Sequence, residues 1–203
     1  MTETATDHRI AEEDALRADL YSFLSALLAK PPSRDLLART AALAGDETQL
    51  GKAIETLAKL AKAATPGSVE REFNALFIGL ARGELLPYAS YYMTGFLNEK
   101  PLALLRADMA AQSITRAANV YEPEDNIASL MEMMAGMIEG RFGAPASLAA
   151  QQTFFNRHIA PWAGHFFNDL EGAKGSVFYA PVGVIGKTFM TIEREAFRLV
   201  GRS

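Results

Sequence analysis

Apolar residues return three and four positions apart along almost the whole chain, and no run alternates apolar with polar residues for long enough to make a strand. That period admits helices packed on helices and little else. The expected fold class is therefore all-α: one globular domain over residues 1–203, built from about eight to ten helices. Glycine and proline set the breaks. Leu16, Leu20, Phe23, Leu24, Leu27 and Leu28 make one stripe from Glu12 to Leu28, and Pro31-Pro32 stops it. Ser33 caps a short helix through Leu43, and Leu50, Ile54, Leu57, Leu60 and Ala61 mark another that ends before Thr65-Pro66-Gly67. Val69, Phe73, Leu76, Phe77 and Leu80 continue the period.

Residues 79–98 lose it. Gly79, Gly83, Pro87 and Gly95 punctuate this stretch, which carries Tyr88, Tyr91, Tyr92 and Phe96, and it is expected to be an ordered loop able to act as a hinge. A helix from Pro101 to about Asn119 follows, carrying Leu104, Leu105, Met109 and Ile114. Beyond Gly140 and Gly143, Pro145 is expected to open the next helix. Helices through Phe154, Phe155, Ile159, Trp162 and Phe166 to Leu170, interrupted at Pro161, and from Ser176 or Pro181 to Val200 complete the chain.

Composition removes several function classes. The chain has no cysteine, which rules out disulfides, thiolate nucleophiles, Cys-ligated zinc and iron–sulfur clusters, and fits a reducing compartment. The N-terminal segment is acidic and polar without a basic region leading into an apolar one, and no stretch reaches the ~18 apolar residues of a membrane span. A cytoplasmic protein without membrane insertion is expected. With 20 Lys and Arg spread against 24 Asp and Glu, for a net charge of −4, there is no footprint for nucleic acid and room for a basic ligand.

The segment YEPEDNIASLMEMMAGMI, residues 121–138, joins an acidic turn to a methionine-rich helix. Pro123 suits the first turn of a helix, with Glu124 and Asp125 against its positive end, and Ile127, Leu130, Met131, Met134, Met137 and Ile138 share one face. Two readings stand. The face is core, with methionine filling gaps, or its edge lines an adaptable apolar groove beside three carboxylates. Likewise the aromatics of 79–98 either anchor the loop or contact a ligand. Arg82 and Glu84 read as solvated.

Chemistry-bearing alternatives are thin. His158 and His165 are seven apart with Asp169 one turn on, the spacing of a metal site, but Pro161 interrupts the helix they would share. GVIGKT at 183–188 resembles a phosphate loop, yet the motif needs a glycine where Pro181 stands, and no strand precedes it. Acidic pairs such as Glu122 with Asp125 have no second catalytic partner or nucleophile beside them. No enzyme activity, cofactor or metal is expected.

Four segments taken together, REFNALFIG (71–79), GELLPYASYYMTG (83–95), YEPEDNIASLMEMM (121–134) and FFNRHIAPWAGHFFNDL (154–170), resemble the TorD/DmsD family of redox-enzyme maturation chaperones. The likeness covers roughly residues 10–200. It implies an all-helical cytoplasmic chaperone that binds the twin-arginine signal peptide and apoprotein of a molybdoenzyme subunit until cofactor insertion and export, as a monomer or domain-swapped dimer. Pro87, Tyr88 and Ser90 match the family's loop motif, with Tyr88 where tryptophan is usual. Glu122, Pro123 and Asp125 match its Glu-Pro-x-Asp-His motif, with Asn126 in place of the histidine, so no titratable imidazole is present there. Phe77 and Gly79 match its Leu-Phe-x-Gly segment, whereas Leu80 replaces a proline; His158, Pro161 and Trp162 match a pattern that looks structural.

A twin-arginine peptide sets two guanidinium groups beside an apolar run, so its receptor needs carboxylates next to an apolar groove. Glu122, Glu124 and Asp125 are candidates for the first, and Phe77, Tyr88, Tyr92 and the edge of the methionine helix for the second. The competing functions are a nucleotide-dependent switch or enzyme using GVIGKT, and a permanent helical subunit of a larger complex.

Overall fold

The computed structural model describes residues 11–79, 82–116, 118 and 120–200. Leu80 and Asn119, on which an apolar period and a helix end were expected, lie outside the described residues. Among the described residues there are ten α-helices and no strand longer than an isolated bridge. They are α1 (Glu12–Ala29), α2 (Arg34–Ala41), α3 (Gln49–Ala63), α4 (Pro66–Phe73), α5 (Ala89–Thr94), α6 (Lys100–Ala111), α7 (Ile127–Glu139), α8 (Leu148–Phe154), α9 (Ala163–Gly172) and α10 (Tyr179–Val200). Two π-helical segments, Asn74–Ile78 and Phe155–Ile159, extend α4 and α8.

The caps follow the sequence. Ser33, Thr48 and Ser147 each accept a backbone N–H at the start of α2, α3 and α8, and Thr65 with Ser68 forms a capping box on α4. Helix α7 lies at the centre, packed on α1 and touching α8 and the second π segment, while α10 packs on α9 and α3. Only Ser129, Glu132 and Glu139 of α7 escape burial, which is the pattern of a helix enclosed on all sides. Trp162, Tyr21, Tyr179, Phe155, Phe166 and Phe167 are the largest fully buried side chains around it. At the far ends of the chain, Arg17 donates from Nε and Nη2 to the two carboxylate oxygens of Glu193 at 2.7 and 2.8 Å, and the Tyr21 hydroxyl donates to the same carboxylate at 2.9 Å. This buried network ties α1 to α10, 176 residues apart.

Several local expectations are corrected. The stretch 79–98 is no plain loop but contains α5, whose six residues are too few to show a helical period. Helix α6 stops at Ala111 rather than near 119, because Ser113 turns to φ +56°. Pro123 opens a turn, and α7 starts four residues later at Ile127, where Asn126 is the cap. Pro145 does not open α8; it packs on Gly140 while Ser147 caps the helix. Glu84 is not merely solvated, since its carboxylate accepts N–H groups from Lys174 and Gly175, and Arg82 lies over the Tyr91 ring.

GVIGKT lies inside α10. A Cβ at Gly186 would come within 2.2 Å of the Phe167 ring, so this glycine allows α9 and α10 to approach closely, and Lys187 pairs with Glu171. It is a helix-packing segment, with no loop to cradle a phosphate.

Candidate functional site

Pro87-Tyr88-Ala89 and Asp125-Asn126-Ile127 form a short antiparallel bridge: Ala89 N–H donates to the Asp125 carbonyl at 3.0 Å and Ile127 N–H to the Pro87 carbonyl at 2.8 Å. Two segments far apart in sequence are thereby held in one register. The acidic turn then divides its labour residue by residue. Pro123 C=O accepts from Asn126 N–H at 3.1 Å and closes the turn. Asp125 Oδ2 accepts the Ser90 N–H at 2.8 Å at the start of α5, and Asn126 Oδ1 accepts the Ala128 N–H at 2.9 Å at the start of α7. Adjacent side chains thus cap two different helices.

Glu124 points away from both. Its Oε2 accepts from Nε and Nη2 of Arg106 on α6 at 3.1 and 2.8 Å, with Arg116 at 3.8 Å from Oε1. Burial opposes its charge, but the Arg106 hydrogen bonds prevail and hold its pKa below the ordinary value. Glu122 alone is exposed; it accepts the Tyr88 hydroxyl and stands 3.5 Å from Asn126 Nδ2. Burial first, and then the Glu122 acceptor, raises the Tyr88 pKa well above its usual value, so the phenol remains a donor at neutral pH.

A groove of about 260 Å³ opens beside Glu122. Leu28 of α1, Phe73 and Phe77, and Pro87 with Tyr88 supply its apolar walls, and Asn126, Ala128 and Glu132 its floor and rim along α7. A smaller cavity of about 150 Å³ adjoins it, sharing Val120, Glu122, Ser129 and Glu132 and walled beyond them by Arg116, Met133 and Arg141. Ile78 and Val120 stand exposed at the groove's mouth. The first π segment matters here: it widens the last turn of α4 so that Phe77 and Ile78 both reach the groove, and Gly79 at φ +63° then turns the chain away.

Of the residues singled out in the sequence, the structure brings Phe77, Pro87, Tyr88, Glu122 and Asn126 together on this groove. The others lie elsewhere. Ser90 is fully buried within α5, Tyr92 packs on Trp162 at 5.3 Å with its hydroxyl on Asp169, Pro123 shapes the turn, Asp125 faces α5, and Glu124 lines the adjoining smaller cavity with its carboxylate on Arg106 of α6. Of the α7 methionines, Met131, Met134 and Met137 are core and Met133 reaches a cavity wall. His158 bonds Asp108 at 2.6 Å while Asp169 takes the Tyr92 hydroxyl, so they do not converge with His165, and no group of His, Asp and Glu able to hold a metal occurs among the described residues. Sequence reasoning missed Leu28, Phe73, Ile78 and Glu132. Glu132 left a trace, as the single exposed break in an otherwise apolar helix; Leu28 left none, because it belongs to an unremarkable core stripe.

Comparison with known proteins agrees with this architecture. Residues 43–168 match the family model described as nitrate reductase delta subunit. The chaperone protein TorD of Vibrio cholerae serotype O1 is 30% identical over 170 residues, covering 74% of this chain and 77% of that protein. TorD of Aliivibrio salmonicida is 29% identical over 201 residues, covering 87% and 92%. A crystal structure of a provisionally assigned redox enzyme maturation protein from Archaeoglobus fulgidus shares the fold, with a TM-score of 0.56 and 21% identity, over 87% of this chain and 94% of that one.

Proposed function

Because the chain belongs to the family of the nitrate reductase delta subunit and the TorD chaperones, we propose that it is a cytoplasmic maturation chaperone whose groove receives the twin-arginine signal peptide of a molybdoenzyme subunit. One observation carries the reading: an apolar groove walled by Leu28, Phe73 and Phe77 has two carboxylates, Glu122 and Glu132, at its rim. A peptide with two guanidinium groups ahead of an apolar run is the complement of that surface. Glu122 exchanges its Tyr88 hydroxyl for an incoming guanidinium, Glu132 takes the second, and the apolar run lies on the Phe73–Phe77 wall. The chemistry is recognition without bond making, holding the precursor until it is loaded and exported.

Calorimetry with a synthetic twin-arginine signal peptide tests this. Changing both peptide arginines to glutamine weakens binding by about 1.5–3 kcal/mol per desolvated contact, and less where the contact stays wet. Glu122→Gln and Glu132→Gln reproduce that loss from the protein side. Equal affinity for the arginine and glutamine peptides removes the acidic rim from the mechanism.

A further inference from the structure

The bridge that builds the groove has a second face. Tyr88, the extended residue that precedes α5, lines the acidic groove, whereas Ala89, the first residue of that helix, lines a different cavity of about 280 Å³ between α5, α6 and the second π segment. Its apolar walls are Ala89, Met93, Pro101 and Leu104, and its polar groups are Thr94, Lys100, Arg157 and His158. Lys100 together with the Arg157–Asp108 pair leaves its edge with a net positive charge, opposite in sign to that of the groove. Asp108 shares itself between Arg157 at 3.0 Å and His158 at 2.6 Å, which fixes both side chains at the cavity's edge while Lys100 stands exposed at the start of α6.

The surrounding surface is unusually apolar for exposed ground. Met93 is 45% exposed, Leu104 36%, and the connection between α5 and α6 adds Phe96 at 70% and Leu97 at 43%. Contiguous apolar surface rimmed by charge marks a contact site rather than idle exterior. The π-helical segment Phe155–Ile159 also supplies Arg157 and His158 to this cavity, as its counterpart supplies Phe77 and Ile78 to the groove. Such irregular turns are frequent at functional sites.

We propose that this cavity and the Phe96–Leu97 surface beside it dock a second peptide segment, one that sets carboxylates beside aliphatic side chains. An aliphatic side chain enters between Met93 and Leu104, and a neighbouring carboxylate meets Lys100 and Arg157. The two faces of one bridge then take peptides of opposite charge.

The test uses the full chain and a fluorescently labelled peptide of alternating glutamate and leucine, with the lysine-for-glutamate peptide as its counterpart, titrated by anisotropy. The acidic probe binds saturably and more tightly at low salt. Lys100→Glu and Leu104→Asp each weaken it by about tenfold, while Glu122→Gln leaves it unchanged. Both changed residues are exposed, and melting curves by circular dichroism establish that the variants are folded. The proposal is overturned by absence of saturable binding, by equal binding of the lysine peptide, or by a Leu104→Asp effect that sedimentation traces to loss of a dimer. Acidic-probe binding that persists when the twin-arginine peptide fails to bind leaves this site standing and refutes only the groove reading.

Discussion

Tyr88 and Glu124 show how differently neighbouring polar groups are employed in one small region. The Tyr88 ring forms a groove wall and its hydroxyl occupies Glu122. Tyr88→Ala should therefore weaken twin-arginine peptide binding by about 1–3 kcal/mol with an unchanged helical spectrum, whereas Tyr88→Phe, which keeps the ring and frees Glu122, should bind at least as well as the parent. A Tyr88→Phe loss equal to that of alanine in calorimetry would shift the role from ring to hydroxyl. Glu124 belongs to the scaffold. Its folded-state pKa is depressed below 4.5, so the stability contributed by its ionised form is present above that value and is lost as pH falls through the lower folded-state value. Melting temperature measured across the acid range should fall less steeply in Glu124→Gln than in the parent. The motif of residues 122–126 was legible in the sequence as a candidate site; the split between exposed Glu122 and committed Glu124 was not, since the partner Arg106 is 18 residues away on a helix whose orientation no local pattern reveals.

The helices were readable where they are long and amphipathic, and unreadable where another segment completes them. Periodicity marks α1 and α3 closely, and the Ser33 cap marks α2, whereas Thr65 read only as part of a turn and proves to cap α4. Helix α5 has six residues, and its N-terminal capping carboxylate comes from Asp125, 35 positions later. The two π segments left no signature either, because one extra residue in a turn does not break an apolar stripe. The glycines of α10 have the spacing of a phosphate loop, a match that Pro181 already denies in the sequence, and their use is close packing against α9. Gly186→Ala should consequently cost about 1–3 kcal/mol by overpacking against the enclosed Phe167 ring. Urea titration followed by circular dichroism would measure it, and a neutral result would mean that α9 and α10 can separate freely.

At the level of the whole molecule, α7 forms the axis and the Arg17–Glu193 network closes the perimeter. Glu193→Ala leaves the Arg17 guanidinium without its main partner in a largely buried setting and should destabilise by about 3–5 kcal/mol, whereas the double change Arg17→Met, Glu193→Leu should recover much of that loss. Chemical denaturation of the two variants side by side distinguishes a costly orphaned charge from a pair that is indispensable. The same network bears on how the protein is made. Every groove residue named above lies between Leu28 and Glu132, yet the α1 wall is clamped by Glu193 and by the Tyr179 hydroxyl, which donates to the Leu27 carbonyl at 3.0 Å. A ribosome that has released only the groove-forming residues has therefore not yet released a receptor. On the proposed reading, competence should arrive late in translation, when α10 emerges and seats α1, and a chain truncated before α10 should not bind the twin-arginine peptide.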